Sequence, residues 1–281
     1  MNKFLVFQSD FGLVDGAVSA MKGVAYKVDP DLIIDDVTHE ITPYNVFEAS
    51  YRLFQTVDYW PQNTVFVSVI DPGVGSKRKS VVAKTAKGQY IVTPNNVTLT
   101  HLDAYEGIVE IREIEEKINR LAHSELSYTF HGRDVYAYTG ARLASGVISY
   151  EEVGPKLDLS ELVKLDLFET QYDEESVTGQ IDILDVRFGS LWTSIPYDIF
   201  KKLGIEHGDY VEVQIRNNGS LVYVNRVVYG HSFSDVMVGM PIIYMNSVNM
   251  MALAINQGSF SRAYNIGVGA PWTITLKKVE K

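Results

Sequence analysis

An aspartate and an arginine at the end of an apolar run are the residues best suited to chemistry in this sequence. They lie in SVIDPGVGSKRKS, which runs from Ser68 to Ser80. The glycine-containing loop allows Arg78 to return towards Asp71, which brings a guanidinium and a carboxylate to the mouth of a predicted buried strand. His131, in TFHGRD, is the candidate for a third group facing them. The ordinary alternatives are a turn-forming aspartate, a solvated arginine and a structural histidine.

Two further aspartates follow the first predicted strand, at the edge where open α/β sheets bind ligands. The Asp10 carboxylate could accept hydrogen bonds from both hydroxyls of a ribose. On spacing alone, Asp10 and Asp15 are more often turn formers and helix caps. A metal site built from Asp10, Asp71 and His131 is chemically possible, but no spacing motif supports it. The glycine motifs of dinucleotide and triphosphate sites are absent from the sequence.

A third group of candidates lies in the second half of the chain. Its members follow a predicted strand or interrupt apolar runs near the C-terminus: Asp185, Phe188, Ser190, Trp192, Ser247 and Asn256. The two aromatic rings beside Gly189 could form a platform for a purine, although such rings in a β domain usually belong to the core. Without other evidence, the polar residues near the C-terminus are predicted to lie in turns.

The elements that must position these residues begin with a β-α-β unit. A strand is predicted over Lys3–Gln8, a helix over Ala17–Val28 that Pro30 ends, and a second strand over Leu32–Ile34. This order predicts a parallel sheet. The later elements predicted in this half are a helix with a capping box at Asn45 and Glu48, a strand over Val65–Ile70, a hairpin of Ser80–Ala86 with Tyr90–Thr93, and a helix over Asp134–Ser145 with Asp134 as its N-cap.

The second half is predicted to be mostly β. Strand-like runs alternate there with turn signals, and Asn217-Asn218-Gly219 predicts a hairpin. These runs favour a small barrel or sandwich. Composition places an N-terminal α/β domain at residues 1–160, a linker at 161–177 and a C-terminal β domain at 178–281.

Composition narrows the class of protein. No apolar stretch reaches the ~20 residues of a membrane span and the N-terminus has no secretory signal, so we expect a cytoplasmic protein that does not cross a membrane. The absence of cysteine excludes disulfides and thiolate chemistry. A net charge of −10 without a Lys/Arg-rich run argues against nucleic acid as a partner and favours a cationic small molecule.

Several segments, in order along nearly the whole chain, carry a family resemblance: SDFGLVDGAVSAMKG, DVTHEITPYNV, VFVSVIDPGVGSKRKSV, TPNN, TFHGRD, DVRFGSLWTSIP and YMNSVNMMALAINQGS. Together they resemble the S-adenosylmethionine (SAM) hydroxide adenosyltransferases, the water-using relatives of the fluorinase and chlorinase. The resemblance implies an N-terminal α/β domain with a central, mostly parallel sheet and a smaller C-terminal β-barrel. It also implies a homotrimer, with each site between the N-terminal domain of one subunit and the C-terminal domain of its neighbour.

The resemblance further implies that SAM is split to adenosine and methionine by a water-derived nucleophile, with no metal or other cofactor. The family's catalytic triad falls on Asp71, Arg78 and His131, and its ribose-binding aspartate falls on Asp10. The remaining implied substrate-binding residues are Asp15, Asp185 and Ser247 for the methionine portion, and Tyr44, Phe188, Ser190 and Trp192 for the nucleoside, with Phe130 and Asn256 completing the set.

Three positions depart from relatives of this family. Ser190 stands where many members have an adenine-binding Asn, and Val97 stands where a glycine is usual after the paired Asn. Gly132 stands where halogenating relatives have a Ser that prepares the halide pocket, and in those relatives the residue before it is not the triad His. The pairing of His131 with Asp71 and Arg78 that the resemblance implies therefore favours water over halide. A halogenase that makes 5′-halo-adenosine and a non-catalytic protein that binds SAM or adenosine are the alternatives.

Overall fold

A computed structural model describes residues 3–279. Residues 1–2 and 280–281, the outer ends of the two predicted domains, lie outside the described residues. The chain divides into two units, of which the first ends at Leu165 and the second begins at Asp166. The division falls within the predicted linker, whose exact bounds stay a prediction.

The N-terminal unit contains one seven-stranded sheet in the order β2-β1-β3-β5-β4-β6-β7. Its strands are β1 (Phe4–Ser9), β2 (Ile33–Thr38), β3 (Val65–Val69), β4 (Ser80–Thr85), β5 (Tyr90–Pro94), β6 (Ile108–Glu113) and β7 (Lys156–Leu157). β1 runs parallel to both β2 and β3, and β3 runs parallel to β5, whereas β4, β6 and β7 pair antiparallel. Five of the seven strands, β1, β2, β3, β5 and β6, therefore run in the same direction, and the predicted mostly parallel sheet is confirmed.

Helices cover this sheet through their apolar faces. They are α1 (Ala17–Val28), α2 (Val46–Val57), α3 (Thr100–Tyr105), α4 (Glu116–Asn119) and α5 (Tyr138–Ser145). Helix α1 has the predicted bounds and buries Val18, Met21, Val24 and Ala25, the spacing that makes one side of a helix apolar. The predicted cap of α2 forms, because the Asn45 side chain accepts the Glu48 N–H at 3.0 Å.

The predicted N-cap at Asp134 is wrong. Helical structure already begins at Gly132, in a π-helical segment (Gly132–Ala137) that continues into α5. The Asp134 N–H bonds the Phe130 carbonyl at 3.0 Å, and the buried Asp134 carboxylate accepts two bonds from Arg133, at 2.7 and 3.1 Å. Asp134 therefore stabilises the inside of this segment instead of its start.

The C-terminal unit is a closed barrel. Its strands are β8 (Gln171–Tyr172), β9 (Ser176–Leu184), β10 (Leu191–Pro196), β11 (Tyr210–Asn217), β12 (Ser220–Tyr229), β13 (Pro241–Met245), β14 (Met250–Ile255) and β15 (Trp272–Lys278), with short helices α6 (Tyr197–Phe200) and α7 (Phe260–Tyr264). Seven strands follow the order β10-β14-β13-β12-β11-β15-β9, and β9 pairs again with β10 to close the ring. The predicted barrel is confirmed.

The predicted hairpin between β11 and β12 is also confirmed. Asn217 pairs with Ser220, so the turn consists of Asn218 and Gly219, at φ 47° and 80°. Two consecutive positive φ values suit a tight hairpin turn, and Asn-Gly adopts them most readily. Within residues 3–279, no helix is both long and apolar enough to span a bilayer.

Candidate active site

The predicted Asp71–Arg78 pair forms in the loop between β3 and β4. Strand β3 ends at Val69, and the chain reaches Asp71 two residues later, where Arg78 Nη2 donates to Asp71 Oδ1. The Gly73 N–H donates to the same oxygen at 3.1 Å. The Asp71 side chain is 6% exposed and that of Arg78 21%. Because water is largely excluded, this ion pair is stronger than one on the surface.

A buried phenol supports the other oxygen of Asp71. Tyr136 Oη donates to Asp71 Oδ2 at 3.3 Å and lies 3.0 Å from Ser80 Oγ. Burial raises the pKa of Tyr136, and the Asp71 charge adds to the rise, so the phenol stays protonated and acts as a donor. Asn96, the second residue of the paired Asn, donates to the Ile70 carbonyl at 2.8 Å and fixes the chain just before Asp71.

His131 lies directly before the π-helical segment, and its Nε2 is 3.0 Å from Arg120 Nη2. Burial lowers the pKa of the imidazole, against the opposing effect of the Glu116 carboxylate. Among residues 3–279, His131 forms no hydrogen bond with Asp71 or Arg78. The structure therefore places the three predicted catalytic residues in one region, with His131 bonded to a different arginine from the predicted one.

One cavity of about 340 Å³ collects most of the predicted N-terminal site residues. Its walls include Asp10, Tyr44, Asp71, Phe130 and His131, together with Phe11, Val69 and Gly132. Asp10 Oδ2 accepts the Tyr44 N–H at 2.8 Å, which holds Tyr44 at φ 68°, a conformation that aromatic residues rarely adopt. Within the part of the chain that the structure describes, the other carboxylate oxygen of Asp10 has no hydrogen-bond partner, so it is available to a ligand.

Two predicted residues are not among those that line this cavity. Arg78 contributes through its bond to Asp71, which does line it. Asp15 is exposed, and its Oδ1 accepts the Ala17 N–H at 2.8 Å just before α1. That bond is the helix-capping alternative recognised from the sequence, and a role for Asp15 in binding methionine stays a prediction.

A second cavity, of about 800 Å³, lies within the C-terminal unit. It is lined by all six predicted residues of that unit, namely Asp185, Phe188, Ser190, Trp192, Ser247 and Asn256. Ser190 and Trp192 are buried, whereas the Phe188 ring is 70% exposed, as a ring available for stacking would be. Gly189 at φ 69° makes the turn that separates the exposed ring from the buried serine.

Two other kinds of catalytic centre lack the geometry they need. Ser9 Oγ lies 2.7 Å from His39 Nδ1, and His39 Nε2 lies 3.1 Å from Asp36 Oδ1, which gives the residue types of a nucleophilic triad. Ser9 and His39 are buried, however, so Ser9 is not an accessible nucleophile. The contacts among Ser9, His39 and Asp36 instead hold the chain next to Asp10. No three His, Asp or Glu side chains in the described part of the chain are gathered so that they could hold a metal ion.

Family models match both units of the chain. The SAM hydroxide adenosyltransferase N-terminal domain matches residues 5–154, and the C-terminal domain of the same family matches residues 179–273. The chain belongs to the SAM hydroxide adenosyltransferase family.

The relatives of this chain are named either hydrolases or fluorinases. The chain is 34% identical to an (R)-S-adenosyl-L-methionine hydrolase of Methanocaldococcus jannaschii, over 82% of this chain and 80% of the relative. It is 31% identical to a protein of the same name from Thermus thermophilus, over 94% and 96%, and 29% identical to a fluorinase of Actinoplanes, over 98% of both. A crystal structure of a conserved protein from Thermotoga maritima superimposes with a TM-score of 0.89 at 33% identity, covering 98% of this chain and all of that one.

Several residues at the two cavities were not predicted from the sequence, and four of them lie beside the predicted site residues. Phe11 lies within the SDFG segment and could have been found there, since it lines the N-terminal cavity. Tyr136 and Arg120 reach Asp71 and His131 from other elements, and no local pattern marks them. Tyr244 lines the C-terminal cavity, and burial raises its pKa, so its phenol stays a potential donor beside the predicted substrate-binding residues.

Proposed function

We propose that the protein hydrolyses SAM to adenosine and methionine by attack of water on the 5′ carbon. The observation that carries this proposal is the placement of Asp71, tied to Arg78, in the same cavity wall as His131 and Asp10. The names of the hydrolase relatives support the same reaction. Among the residues of this cavity, Asp10 supplies a free carboxylate oxygen for the ribose.

The chemistry requires little beyond an activated water. The attacked 5′ carbon is bonded to the positively charged sulfonium sulfur of SAM, which leaves as the neutral thioether of methionine, so no acid is needed for its departure. Free hydroxide at pH 7 would cost about 12 kcal/mol, at ~1.36 kcal/mol per pK unit from a water pKa near 15.7. In the proposed step the water oxygen bonds to the 5′ carbon, the carbon–sulfur pair leaves on methionine, and one water proton passes to protein or solvent. Arg78 stabilises the negative charge that develops on the water oxygen, and Asp71 orients the guanidinium or accepts the proton as attack proceeds.

We also infer a homotrimer with sites between subunits, as the family resemblance implies. Each cavity holds only part of the predicted residue set, because the triad lies in the N-terminal unit and the aromatic residues lie in the C-terminal unit. Mixing inactive His131→Ala and Trp192→Ala subunits tests this arrangement. Recovery of activity on subunit exchange supports shared sites, and its absence with mixed trimers verified by mass contradicts them.

The halogenase alternative rests on the fluorinase relatives and is opposed by Gly132. A Cβ at this position would approach the Phe11 ring to 3.2 Å and the Phe130 ring to 3.3 Å. A serine there would need both rings to shift by a few tenths of an ångström, so the packing of this cavity suits glycine better than the side chain that prepares a halide pocket. Water is the nucleophile that this packing favours.

The test is product analysis with purified protein, SAM and EDTA. We expect adenosine and methionine, with most of the rate lost in Arg78→Ala and His131→Ala while SAM binding by calorimetry survives. Lys77→Ala, at an exposed cation next to Arg78, and His231→Ala, at an exposed histidine, serve as controls and should retain the rate. Formation of 5′-chloro-adenosine alone in chloride would select the halogenase, tight binding without product would select a binding protein, and loss of activity with EDTA would select a metal-dependent reaction.

A further inference from the structure

Arg120 is a buried arginine that contacts the catalytic candidate His131 and takes no part in the proposed reaction as described above. Its side chain is 6% exposed. Glu116 Oε2 accepts from Arg120 Nε at 3.1 Å and from Nη2 at 2.6 Å, and the guanidinium lies over the Tyr128 ring, 4.8 Å from its centroid. A guanidinium held by a carboxylate and an aromatic face has few other orientations.

The backbone that carries Arg120 is fixed as firmly as the side chain. The preceding residue, Asn119, is completely buried, donates to the Val153 carbonyl at 2.9 Å and accepts from Arg142 at 2.7 Å. The following residue, Leu121, donates its N–H to the Asp134 carbonyl at 2.8 Å, within the π-helical segment that follows His131. The distance between Arg120 and His131 is therefore set by the fold.

The hydrogen bond between Arg120 and His131 determines which imidazole nitrogen carries a proton. Arginine has only donors and remains charged, so the His131 Nε2 that lies 3.0 Å from Arg120 Nη2 must be the acceptor. A neutral imidazole has one donor and one acceptor, so the proton of His131 is on Nδ1. Among residues 3–279, Nδ1 has no hydrogen-bond partner, and His131 lines the cavity.

We infer that Arg120 is a positioning residue that holds His131 as the neutral Nδ1–H tautomer, so that His131 donates a hydrogen bond to the attacking water and Asp71 accepts the water proton. This inference rests on the proposed function. The step balances: the water oxygen bonds to the 5′ carbon, the carbon–sulfur electron pair leaves with methionine, and the released proton goes to an Asp71 oxygen. His131 cannot take that proton through Nε2, because Arg120 occupies its lone pair.

The charges around His131 agree with a neutral ring. Burial and the Arg120 charge lower the pKa of the imidazole, whereas the Glu116, Asp71 and Asp134 carboxylates raise it, and the net direction is downward. Replacing Arg120 by an uncharged residue removes one lowering effect and leaves the carboxylates, so the pKa of His131 should rise.

The experiment is heteronuclear NMR of the full chain labelled with ¹⁵N-histidine, with the His131 signals assigned from their loss in His131→Gln. At pH 7.5 we expect a protonated Nδ1 and an unprotonated Nε2. Arg120→Met should shift the ring towards the Nε2–H tautomer and lower kcat about tenfold to a hundredfold with KM within about twofold. It should also move the acid limb of the pH–rate profile to higher pH. Arg120→Lys, which keeps a charged donor, should restore part of the Nδ1–H tautomer and part of kcat.

The matched control is Lys117→Met, an exposed cation of α4, which should change neither the tautomer nor the pH profile. An Nε2–H or doubly protonated His131 in the wild type, or an unchanged tautomer in a folded Arg120→Met variant, would overturn the inference. If Arg120→Met does not fold, the protonation of Nδ1 and Nε2 in the wild-type spectrum alone tests the inference. A wild type that releases no adenosine would contradict the proposed function whatever the tautomer, so the two failures are distinguishable.

Discussion

Removing the Arg78 charge should destabilise the N-terminal unit, and the size of this effect follows from the burial of the pair. Exposed ion pairs contribute about 0.2–1 kcal/mol, and removal of one partner of a fully buried pair costs about 3–5 kcal/mol. With Asp71 at 6% and Arg78 at 21% exposure, the pair lies between these limits. We expect Arg78→Met to lower the unfolding free energy by about 2 kcal/mol, because Asp71 is left charged with only Gly73 and Tyr136 as donors.

A double-mutant cycle isolates this interaction. In an Asp71→Asn background, Arg78→Met should cost almost nothing, because a neutral amide needs no counter-charge. The assay is amide hydrogen exchange of β3, whose protection reports opening of the N-terminal unit. A coupling of about 2 kcal/mol is expected. Additive effects of the two substitutions would show that the ion pair does not stabilise the loop and would refute the preorganised site that the mechanism needs.

Three further predictions test other parts of the structure. Burial raises the pKa of Asp182 to about 7, so its ionised form costs stability above pH 7 and this cost disappears as the pH falls towards 4. Asp182→Asn, which keeps an oxygen for the Gln180 amide, should therefore stabilise the barrel at pH 8 by up to about 4 kcal/mol in thermal unfolding, and parallel pH curves for the two proteins would contradict this. Burial lowers the pKa of His101 to about 4, so the N-terminal unit should lose about 3 kcal/mol of stability as the pH falls from 6.5 to 4. His101→Gln should flatten this pH dependence in hydrogen exchange, and an unchanged slope would show that His101 is not held neutral in the folded protein. Gly189→Ala should weaken adenosine binding in calorimetry at least tenfold, because its Cβ would collide with Ser259 Oγ and its φ of 69° disfavours alanine; unchanged affinity would mean that this turn does not shape the cavity.

The sequence was sufficient to predict those elements whose structure depends on local residue pattern. Helix α1 has its predicted bounds because apolar spacing defines its face, and the Asn218-Gly219 turn forms because both residues tolerate positive φ. The substrate-binding candidates of the C-terminal unit line one cavity because two motifs, separated in sequence, lie on β10, β14 and their adjoining loops.

The sequence was not sufficient to predict those features that depend on contacts between residues far apart in the chain. The Asp134 side chain has the chemistry of an N-cap, but the carbonyl of Phe130 already begins the helical segment before it. Arg120 reaches His131 through an irregular connection between α4 and the π-helical segment, which no periodicity describes. Val97 has φ 74°, a conformation that glycine adopts readily and valine rarely, and its loop is held by bonds such as that from Asn96 to Ile70.

Hydrolysis in H₂¹⁸O tests the central claim most directly. If an activated water attacks the 5′ carbon of SAM, a single turnover should place one ¹⁸O in the 5′ hydroxyl of adenosine and none in methionine. Mass spectrometry of both products measures this. Unlabelled adenosine, or label found in methionine, would contradict a mechanism in which the water held at Asp71, Arg78 and His131 is the nucleophile.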